Sequence, residues 1–343
     1  MLKILDKIKR KKIPLNEYID LCLYKLKSSY YEKKNIFGPR GDFITSPYVS
    51  SIFGEILAIH IANYFLEKNI FNFNILEIGA GEGLMAKDII KTLSKFNNIK
   101  FTFSILEKSK KLKIIQKKQL KALGVNWVSS FNKINEENLF IISNELLDAL
   151  PVKHLKKIND NWYEKFIFYN KEKKIIDSKY FPLKQTNIPI FKFTNYNTKF
   201  IEYSPDIFTL LNQIIKLIMK NKNNCFLTID YGYYSEHFED TLQGLKKHKK
   251  VSIYSDPGNI DITYLINFNL INKIISEQSL LKTSNMTQAE FLISMGINAR
   301  MKQVQKILKS TKEKRQLQSA VNRLIDFKKM GQLFKVLIIT NEN

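Results

Sequence analysis

The sequence contains little cysteine, with only Cys22 and Cys225 among its 343 residues. Neither belongs to a CxxC or Cys/His cluster, which excludes the common zinc motifs and a disulfide-rich fold. Such sparing use indicates a reducing compartment. The start, MLKILDKIKRKKIPLN, lacks the apolar core of a signal peptide, and Asp6 disfavours a transit peptide. We therefore expect a cytoplasmic protein of bacterial type.

Long apolar runs are also missing. The most apolar stretch, 52–66, is interrupted by Glu55, His60 and Asn63, whereas a membrane span needs about 20 apolar residues. We expect no span. The histidines are not spaced for a metal site or a catalytic triad with either cysteine, so no metal is expected.

Acidic residues are few compared with basic ones, 32 against 55, and the formal net charge is +23. A surplus of this kind attracts nucleic acid, anionic lipid or acidic proteins. Lysine is nevertheless frequent along the whole chain, including the loop 220–224, which favours a solvated background. A base-flipping motif such as N/D-P-P-Y/F and a separate basic domain are both absent, which disfavours a nucleic-acid substrate.

Short apolar runs alternate with helical patterns from residue 74 onward, and this βαβα order predicts an α/β fold with a parallel sheet covered by helices. The predicted strands are 74–79, 101–107, 125–130, 139–145 and 224–232. The predicted helices are 83–93, 109–123 and 207–219. A large core is available, because hydrophobic residues make up 44% of the chain.

Outside this pattern, residues 15–31 have a helical period, and the glycine and proline residues of 37–47 predict a loop. Aromatic bursts over 152–193 predict antiparallel strands, and the C-terminal third is predicted to be mainly helical. We predict an N-terminal helical segment and loop (1–70), a core domain (71–151 and 200–343) and a β-rich insertion (152–199).

The strongest local signal is a strand that ends in Gly79, Gly81 and Gly83 and opens directly into a helix. Ligands bind beyond the carboxyl ends of parallel strands, and glycine lets a ligand lie against the backbone. A dinucleotide fingerprint would place its third glycine at Leu84. The observed spacing is typical of S-adenosylmethionine sites, although a tight turn would also explain it.

Acidic and amide side chains end the neighbouring strands. Glu107 can accept hydrogen bonds from both ribose hydroxyls of an adenosine, and a solvated strand-end glutamate is the alternative. Asn144, Glu145 and Asp148 follow another strand, where they would face the transfer centre or merely cap a helix. Trp127 would frame the adenine or pack in the core.

Several segments, taken in order, resemble the MidA family of S-adenosylmethionine-dependent methyltransferases, which includes a mitochondrial complex I assembly factor that methylates a protein arginine. The segments are GDFITSPYVSSIFGE, ILEIGAGEGLMAKDII, NELLDALPVK, TIDYGYY, TLQGLKKHK, DPGNIDIT and TQAEFLISMGI. The resemblance covers about Tyr31 to Ile297. It implies a Rossmann-like class I methyltransferase sheet of seven strands, with an inserted β-rich and helical substrate region, and S-adenosyl-L-methionine as cofactor.

The resemblance also implies site residues. Cofactor binding would involve Gly79, Gly81, Gly83, Glu107, Thr45, Ser46 and Asn144. A family loop would contain Gly41, Asp42, Phe43, Thr45, Ser46 and Pro47, and Asp230, Tyr231 and Gly232 complete the set. Two positions depart from the family pattern: Tyr48 replaces an acidic residue, and the usual Pro-x-Arg of the glycine loop is replaced at Ala80 and Glu82.

If the acceptor is an arginine, carboxylates must hold its cationic guanidinium and localise electron density on one nitrogen. Glu145 and Asp148 are the first candidates, followed by Asp42 and Asp230. Tyr231 and Tyr233 would line a channel for the cation or belong to the core.

The resemblance points to a protein substrate, namely a subunit of a respiratory NADH dehydrogenase. An RNA methyltransferase and a cofactor-binding assembly chaperone without turnover stay open as alternatives. The sequence does not decide whether the chain forms a homo-oligomer.

Overall fold

The computed structural model describes residues 2–32, 45–184, 188–247 and 249–341. The chain divides into two compact units, each built from three stretches. Unit 1 takes the described residues within Met1–Phe43, Leu147–Asn212 and Tyr233–Ile274, and unit 2 those within Ile44–Leu146, Gln213–Gly232 and Ile275–Asn343.

The regular elements follow in chain order. The α-helices are α1 (Leu2–Arg10), α2 (Leu15–Leu23), α3 (Ser46–Val49), α4 (Ser51–Leu66), α5 (Leu84–Leu93), α6 (Lys110–Gln119), α7 (Pro205–Lys220), α8 (Phe268–Ile275), α9 (Gln288–Ser294), α10 (Ile297–Ile307), α11 (Thr311–Ile325) and α12 (Met330–Leu333). The strands are β1 (Ile13–Pro14), β2 (Asn72–Ile78), β3 (Lys100–Leu106), β4 (Val125–Val128), β5 (Leu139–Asn144), β6 (Lys153–Ile158), β7 (Asn161–Asn170), β8 (Ile175–Pro182), β9 (Phe200–Tyr203), β10 (Cys225–Tyr233), β11 (Gln243–Lys246), β12 (Lys249–Val251), β13 (Asp261–Thr263), β14 (Ile266–Asn267), β15 (Leu281–Thr287) and β16 (Phe334–Asn341).

Seven strands of unit 2 form one sheet in the order β15-β16-β10-β5-β2-β3-β4. Strands β10, β5, β2, β3 and β4 run parallel to one another, whereas β16 is antiparallel to both β10 and β15. The predicted α/β class and the Rossmann-like, seven-stranded methyltransferase sheet are confirmed. The carboxyl ends of five parallel strands therefore meet at one edge, where such sheets bind ligands.

Helices α4 and α5 cover this sheet with a continuous apolar core. Helix α4 is apolar on nearly every side, as expected of a buried helix. The ring of Phe65 stacks on that of Phe73 from β2 with centroids 4.4 Å apart, and both side chains are fully buried. Burying a side chain of this size stabilises the fold by about 1.5–3 kcal/mol, so the core fixes the strand ends rigidly.

Unit 1 contains the antiparallel strands predicted for 152–193. Its larger sheet has the order β1-β7-β6-β9, with β8 also paired to β7, and every pairing is antiparallel. A second antiparallel sheet has the order β12-β11-β13.

Some predicted elements differ from the structure. The helix expected over 15–31 ends at Leu23, because Ser29 Oγ turns the chain by accepting from Leu26 N–H at 2.8 Å and donating to the Leu21 carbonyl at 2.7 Å. The C-terminal third contains strands β15 and β16 as well as helices. Both cysteines are buried, and neither forms a disulfide within the described residues. Within the described ranges, no helix combines the length and the apolar character that a membrane span requires.

Candidate cofactor and acceptor site

The glycine loop joins β2 to α5 at the carboxyl edge of the unit 2 sheet. Gly79, Gly81 and Gly83 have φ angles of +70°, +53° and +85°, a left-handed conformation that strains any residue with a Cβ. A Cβ on Gly79 would also lie 2.7 Å from Leu146 Cδ1. The backbone conformation therefore favours glycine at all three positions.

Glu107 immediately follows β3, the next strand in the sheet. One carboxylate oxygen accepts from the Ser109 N–H at 2.8 Å and the other from Gln116 Nε2 at 3.0 Å. Burial raises the pKa of Glu107, although these hydrogen bonds lower it. Gln116 Nε2 also donates to the Gly81 carbonyl at 2.8 Å. The structure thus brings Glu107 and the glycine loop together through Gln116.

Two buried acceptors at this edge have no hydrogen-bond partner among the described residues: Glu77 Oε2 on β2 and Asn144 Oδ1 at the end of β5. Glu77 is only 2% exposed, and burial, with a smaller contribution from the charge of Glu107, raises its pKa to about 8. Orphaned acceptors on adjacent strands suit a cationic ligand that donates hydrogen bonds. The sequence argument missed Glu77, whose signal was a carboxylate within the apolar run Ile75–Ile78 at the end of β2.

Glu145 lies one residue beyond β5 and has a positive φ of 49°. Its Oε1 accepts from Ser46 N–H at 3.1 Å and from Asn144 Nδ2 at 3.0 Å, and its Oε2 accepts from Tyr231 Oη at 2.8 Å. Donors on both oxygens fix the direction of this carboxylate at the sheet edge. Non-glycine residues held at positive φ concentrate at functional sites.

Asp230, near the end of β10, is fully buried. Its two carboxylate oxygens accept from the backbone N–H groups of Leu146, at 3.1 Å, and Tyr231, at 2.9 Å. Asp230 therefore holds the segment that follows Glu145.

Thr45 and Ser46 are both buried, beside or within α3. Ser46 Oγ donates to Gln288 Oε1 at 3.3 Å, and Gln288 Nε2 donates to the Leu324 carbonyl at 2.9 Å. Asp42, with Gly41 and Phe43, lies outside the described residues.

Asp148 belongs to unit 1, so it is described with that unit. It is buried and accepts from Thr263 Oγ1 at 2.7 Å. The NELLDALPVK and DPGNIDIT segments, more than 100 residues apart, are thus in contact through one hydrogen bond.

The two departures from the family pattern contact each other. Tyr48 Oη, on α3, donates to the carboxylate of Glu82, inside the glycine loop. Burial and this hydrogen bond raise the pKa of the Tyr48 phenol. Helix α3 is therefore bonded both to the cofactor loop, through Tyr48, and to Glu145, through Ser46.

The aromatic residues considered in the sequence have distinct neighbours. Trp127 Nε1 donates to Gln116 Oε1 at 3.0 Å. The ring of Tyr231 lies 4.3 Å from that of Phe334, and Tyr233 belongs to unit 1, where burial raises its pKa to about 12.

A separate polar cluster lies in unit 1, where the ligand atoms of His154, Glu202 and Asp240 are within 4.8 Å of one another. His154 Nε2 contacts Glu202 Oε2 at 2.7 Å, and both side chains are buried. The Glu202 carboxylate also accepts from the N–H groups of Thr241 and Leu242. These bonds hold the Glu202 carboxylate in place, whereas His154 Nδ1 has no hydrogen-bond partner among the described residues.

A family model of S-adenosyl-L-methionine-dependent methyltransferases matches residues 56–287 of this chain. The chain belongs to this family. The matched range contains the glycine loop, Glu107 and every strand of the sheet except β16. The cofactor of the methyltransferase is S-adenosyl-L-methionine.

Curated relatives extend over nearly the whole chain. The mitochondrial protein arginine methyltransferase NDUFAF7 of Xenopus tropicalis is 27% identical, with 96% of this chain and 83% of the relative aligned. The human protein of the same name is 25% identical over 94% of this chain and 78% of its own length. A Burkholderia thailandensis protein crystallised with S-adenosyl-homocysteine has a TM-score of 0.84 and 21% identity, covering 99% of this chain and 92% of that one. This last similarity shows the fold.

The residues at the sheet edge fit the cofactor of the family. S-adenosylmethionine carries an ammonium and a sulfonium. The ammonium would donate hydrogen bonds to the orphaned acceptors of Glu77 and Asn144, and an ionised Glu77 would also offset positive charge. Its ribose hydroxyls would donate to Glu107, and the glycine loop lets a ligand approach the backbone.

Proposed function

We propose that this methyltransferase transfers a methyl group to an arginine side chain of another protein. The observation that carries the proposal is the Glu145 carboxylate, held at the end of β5 by donors on both of its oxygens. A guanidinium is planar and cationic, and a fixed carboxylate binds it by paired hydrogen bonds. The names of the curated relatives support an arginine acceptor.

Bound S-adenosylmethionine supplies an electrophilic methyl group on sulfur. The protein must then orient the acceptor nitrogen and exclude water, and such positioning contributes up to about 7–11 kcal/mol in well-oriented reactions. Glu145 would orient the guanidinium and localise its lone pair. Asp230 would act through the backbone of the Glu145 segment as a positioning residue. Asp148 and Asp42 stay candidates from the sequence.

The first acceptor to test is a subunit of a respiratory NADH dehydrogenase, because the family resemblance points to it. Purified protein would be incubated with the candidate subunit and methyl-labelled S-adenosylmethionine, and mass spectrometry would locate the label. We expect it on arginine. Label on lysine or on added RNA would contradict the proposal, and a stable complex without label would favour the assembly chaperone.

Glu145→Gln tests the role of the carboxylate. It keeps the size of the side chain and removes the charge, so we expect transfer to fall by about a hundredfold or more. Cofactor affinity, measured by isothermal titration, should change little. Glu137→Gln, at an exposed glutamate of the same unit, is the matched control. Unchanged transfer by Glu145→Gln would remove this residue from the mechanism.

A further inference from the structure

We infer that Gln116 is a positioning residue of the cofactor site: its amide holds the Glu107 carboxylate and the Gly81 carbonyl in the arrangement that receives the ribose, and Trp127 fixes the direction of that amide. The inference rests on the cofactor site described above. It extends that site to helix α6 and to a residue whose polarity the fold alone does not explain.

Gln116 is a polar residue in a buried position. Its side chain is fully buried on α6, one turn after the buried Leu112 and one turn before the buried Leu120. Residues spaced by four lie on one face of a helix, so Gln116 occupies the middle of an apolar stripe. A leucine would satisfy packing there at lower cost, because a buried amide must find hydrogen bonds.

The Gln116 amide is hydrogen-bonded at both its nitrogen and its oxygen. Nε2 donates to the Gly81 carbonyl at 2.8 Å and to Glu107 Oε2 at 3.0 Å, and Oε1 accepts from Trp127 Nε1 at 3.0 Å. Both acceptors face the amide nitrogen and the indole donor faces the amide oxygen. Only one orientation of the amide satisfies all three neighbours, so Trp127 prevents it from flipping.

Helix α6 packs against the glycine loop. A Cβ on Gly83 would lie 3.1 Å from Leu120 Cδ1 and 3.6 Å from Gln116 Cγ. The same face of α6 therefore packs on the glycine loop and reaches Glu107 on the next strand. Gln116 links the two parts of the site that must contact one adenosine.

The test compares Gln116→Met with the unmodified protein in isothermal titration with S-adenosyl-homocysteine. Methionine keeps the shape and removes both donors, so we expect affinity to fall by about tenfold or more. Gln116→Glu should lower the affinity further, because a second carboxylate would then face Glu107. Gln119→Met, at an exposed glutamine of the same helix, is the matched control and should bind like the unmodified protein. Trp127→Phe keeps an aromatic ring and should cost affinity through the freed amide.

A pH series separates positioning from packing. The Gln116 amide helps to lower the pKa of Glu107, so its loss shifts the titration of that carboxyl to higher pH. Affinity of Gln116→Met, compared with that of the unmodified protein, should therefore recover as the pH is raised. Ser109 and Lys113 also lower the pKa of Glu107 and are common to both proteins. A Glu77→Gln background removes the nearby carboxyl whose pKa the charge of Glu107 raises.

The outcomes are distinct. Failure of the unmodified protein to bind S-adenosyl-homocysteine would overturn the cofactor site and this inference together. Binding by Gln116→Met that matches the unmodified protein at every pH would overturn the inference alone. A loss that does not vary with pH, accompanied by a lower melting temperature, would show that Gln116 only packs.

Discussion

Replacing Glu77 with glutamine should stabilise unit 2 at alkaline pH. Glu77 is 2% exposed on β2, and burial with the charge of Glu107 raises its pKa to about 8. An unfolded glutamate loses its proton near 4.5, so the folded state binds more protons between these two values. The free energy of unfolding therefore decreases as the pH rises from 4.5 to about 8.

The size of the effect follows from the two pKa values. Their difference corresponds to about 5 kcal/mol, an upper bound because the structure can relax around the charge. Glutamine removes this titration but leaves a buried amide that lacks partners, at a cost of about 1–3 kcal/mol that does not vary with pH. We expect Glu77→Gln to gain about 2–5 kcal/mol relative to the unmodified protein between pH 5 and 8.5.

The assay is urea unfolding without cofactor at pH 5, 7 and 8.5. The chain has two tryptophans, and Trp162 lies in unit 1. A Trp162→Phe background leaves Trp127 as the sole tryptophan, and it reports on the unit that contains Glu77. Glu137→Gln, exposed in the same unit, is the control. A free-energy difference between Glu77→Gln and its parent that stays constant with pH would refute the reasoning.

The same substitution should weaken cofactor binding, because an anionic Glu77 would neutralise a cationic ligand. Binding by the unmodified protein should then release a proton near pH 7. Titrations in two buffers of different ionisation enthalpy would measure it. Equal heats in both buffers would show that Glu77 does not change its protonation on binding.

Two further predictions concern unit 2. Burial lowers the pKa of His60 to about 4 and its Nε2 has no partner among the described residues, so stability should fall as the pH drops from 6.5 towards 4, by up to about 3 kcal/mol. His60→Phe should remove this dependence in urea unfolding at pH 4.5 and 7. Tyr48→Phe deletes the donor to Glu82 in the glycine loop, and S-adenosyl-homocysteine affinity should fall several-fold. Tyr64→Phe, which removes a buried hydroxyl without a partner in the described structure, should leave the affinity unchanged.

The parallel part of the fold could be predicted from the sequence because its signals are local. Each strand is a short apolar run followed by a helix, and the glycine loop marks a left-handed backbone directly. Strand β16, FKVLIIT, was missed because a short apolar run does not distinguish a strand from a buried helix. Strand β15, LKTSNMT, is mostly polar and pairs only with β16 at the edge of the sheet, so its sequence has little strand character.

The position of Glu107 directly after a strand could be predicted from the sequence, because the apolar run of β3 ends immediately before it. Glu77 and Gln116 were missed because each is a single polar residue in an apolar pattern, and such a residue is easily read as an interruption. The pattern did contain a signal: Leu112, Gln116 and Leu120 form one stripe on α6, and a polar residue within a stripe needs a partner. The partners of Gln116 could not be predicted, because only tertiary packing brings Gly81, Glu107 and Trp127 to its amide.

Segments that are far apart in the sequence contact one another in the fold. This explains why the ordered motifs are more informative as a set than singly. Tyr231 reaches Glu145 across 86 positions, and Gln288 reaches Ser46 across 242. Pairings of this range cannot be derived from local propensity, yet each joins two of the segments on which the family resemblance rests. These contacts share one location, the carboxyl edge of the sheet. There Glu77 and Asn144 each have a buried acceptor without a hydrogen-bond partner in the described part of the chain, which destabilises the protein in the absence of a ligand. That cost is reasonable only if a cation occupies the edge during function, which makes the pH dependence of stability without cofactor a physical test of the binding site.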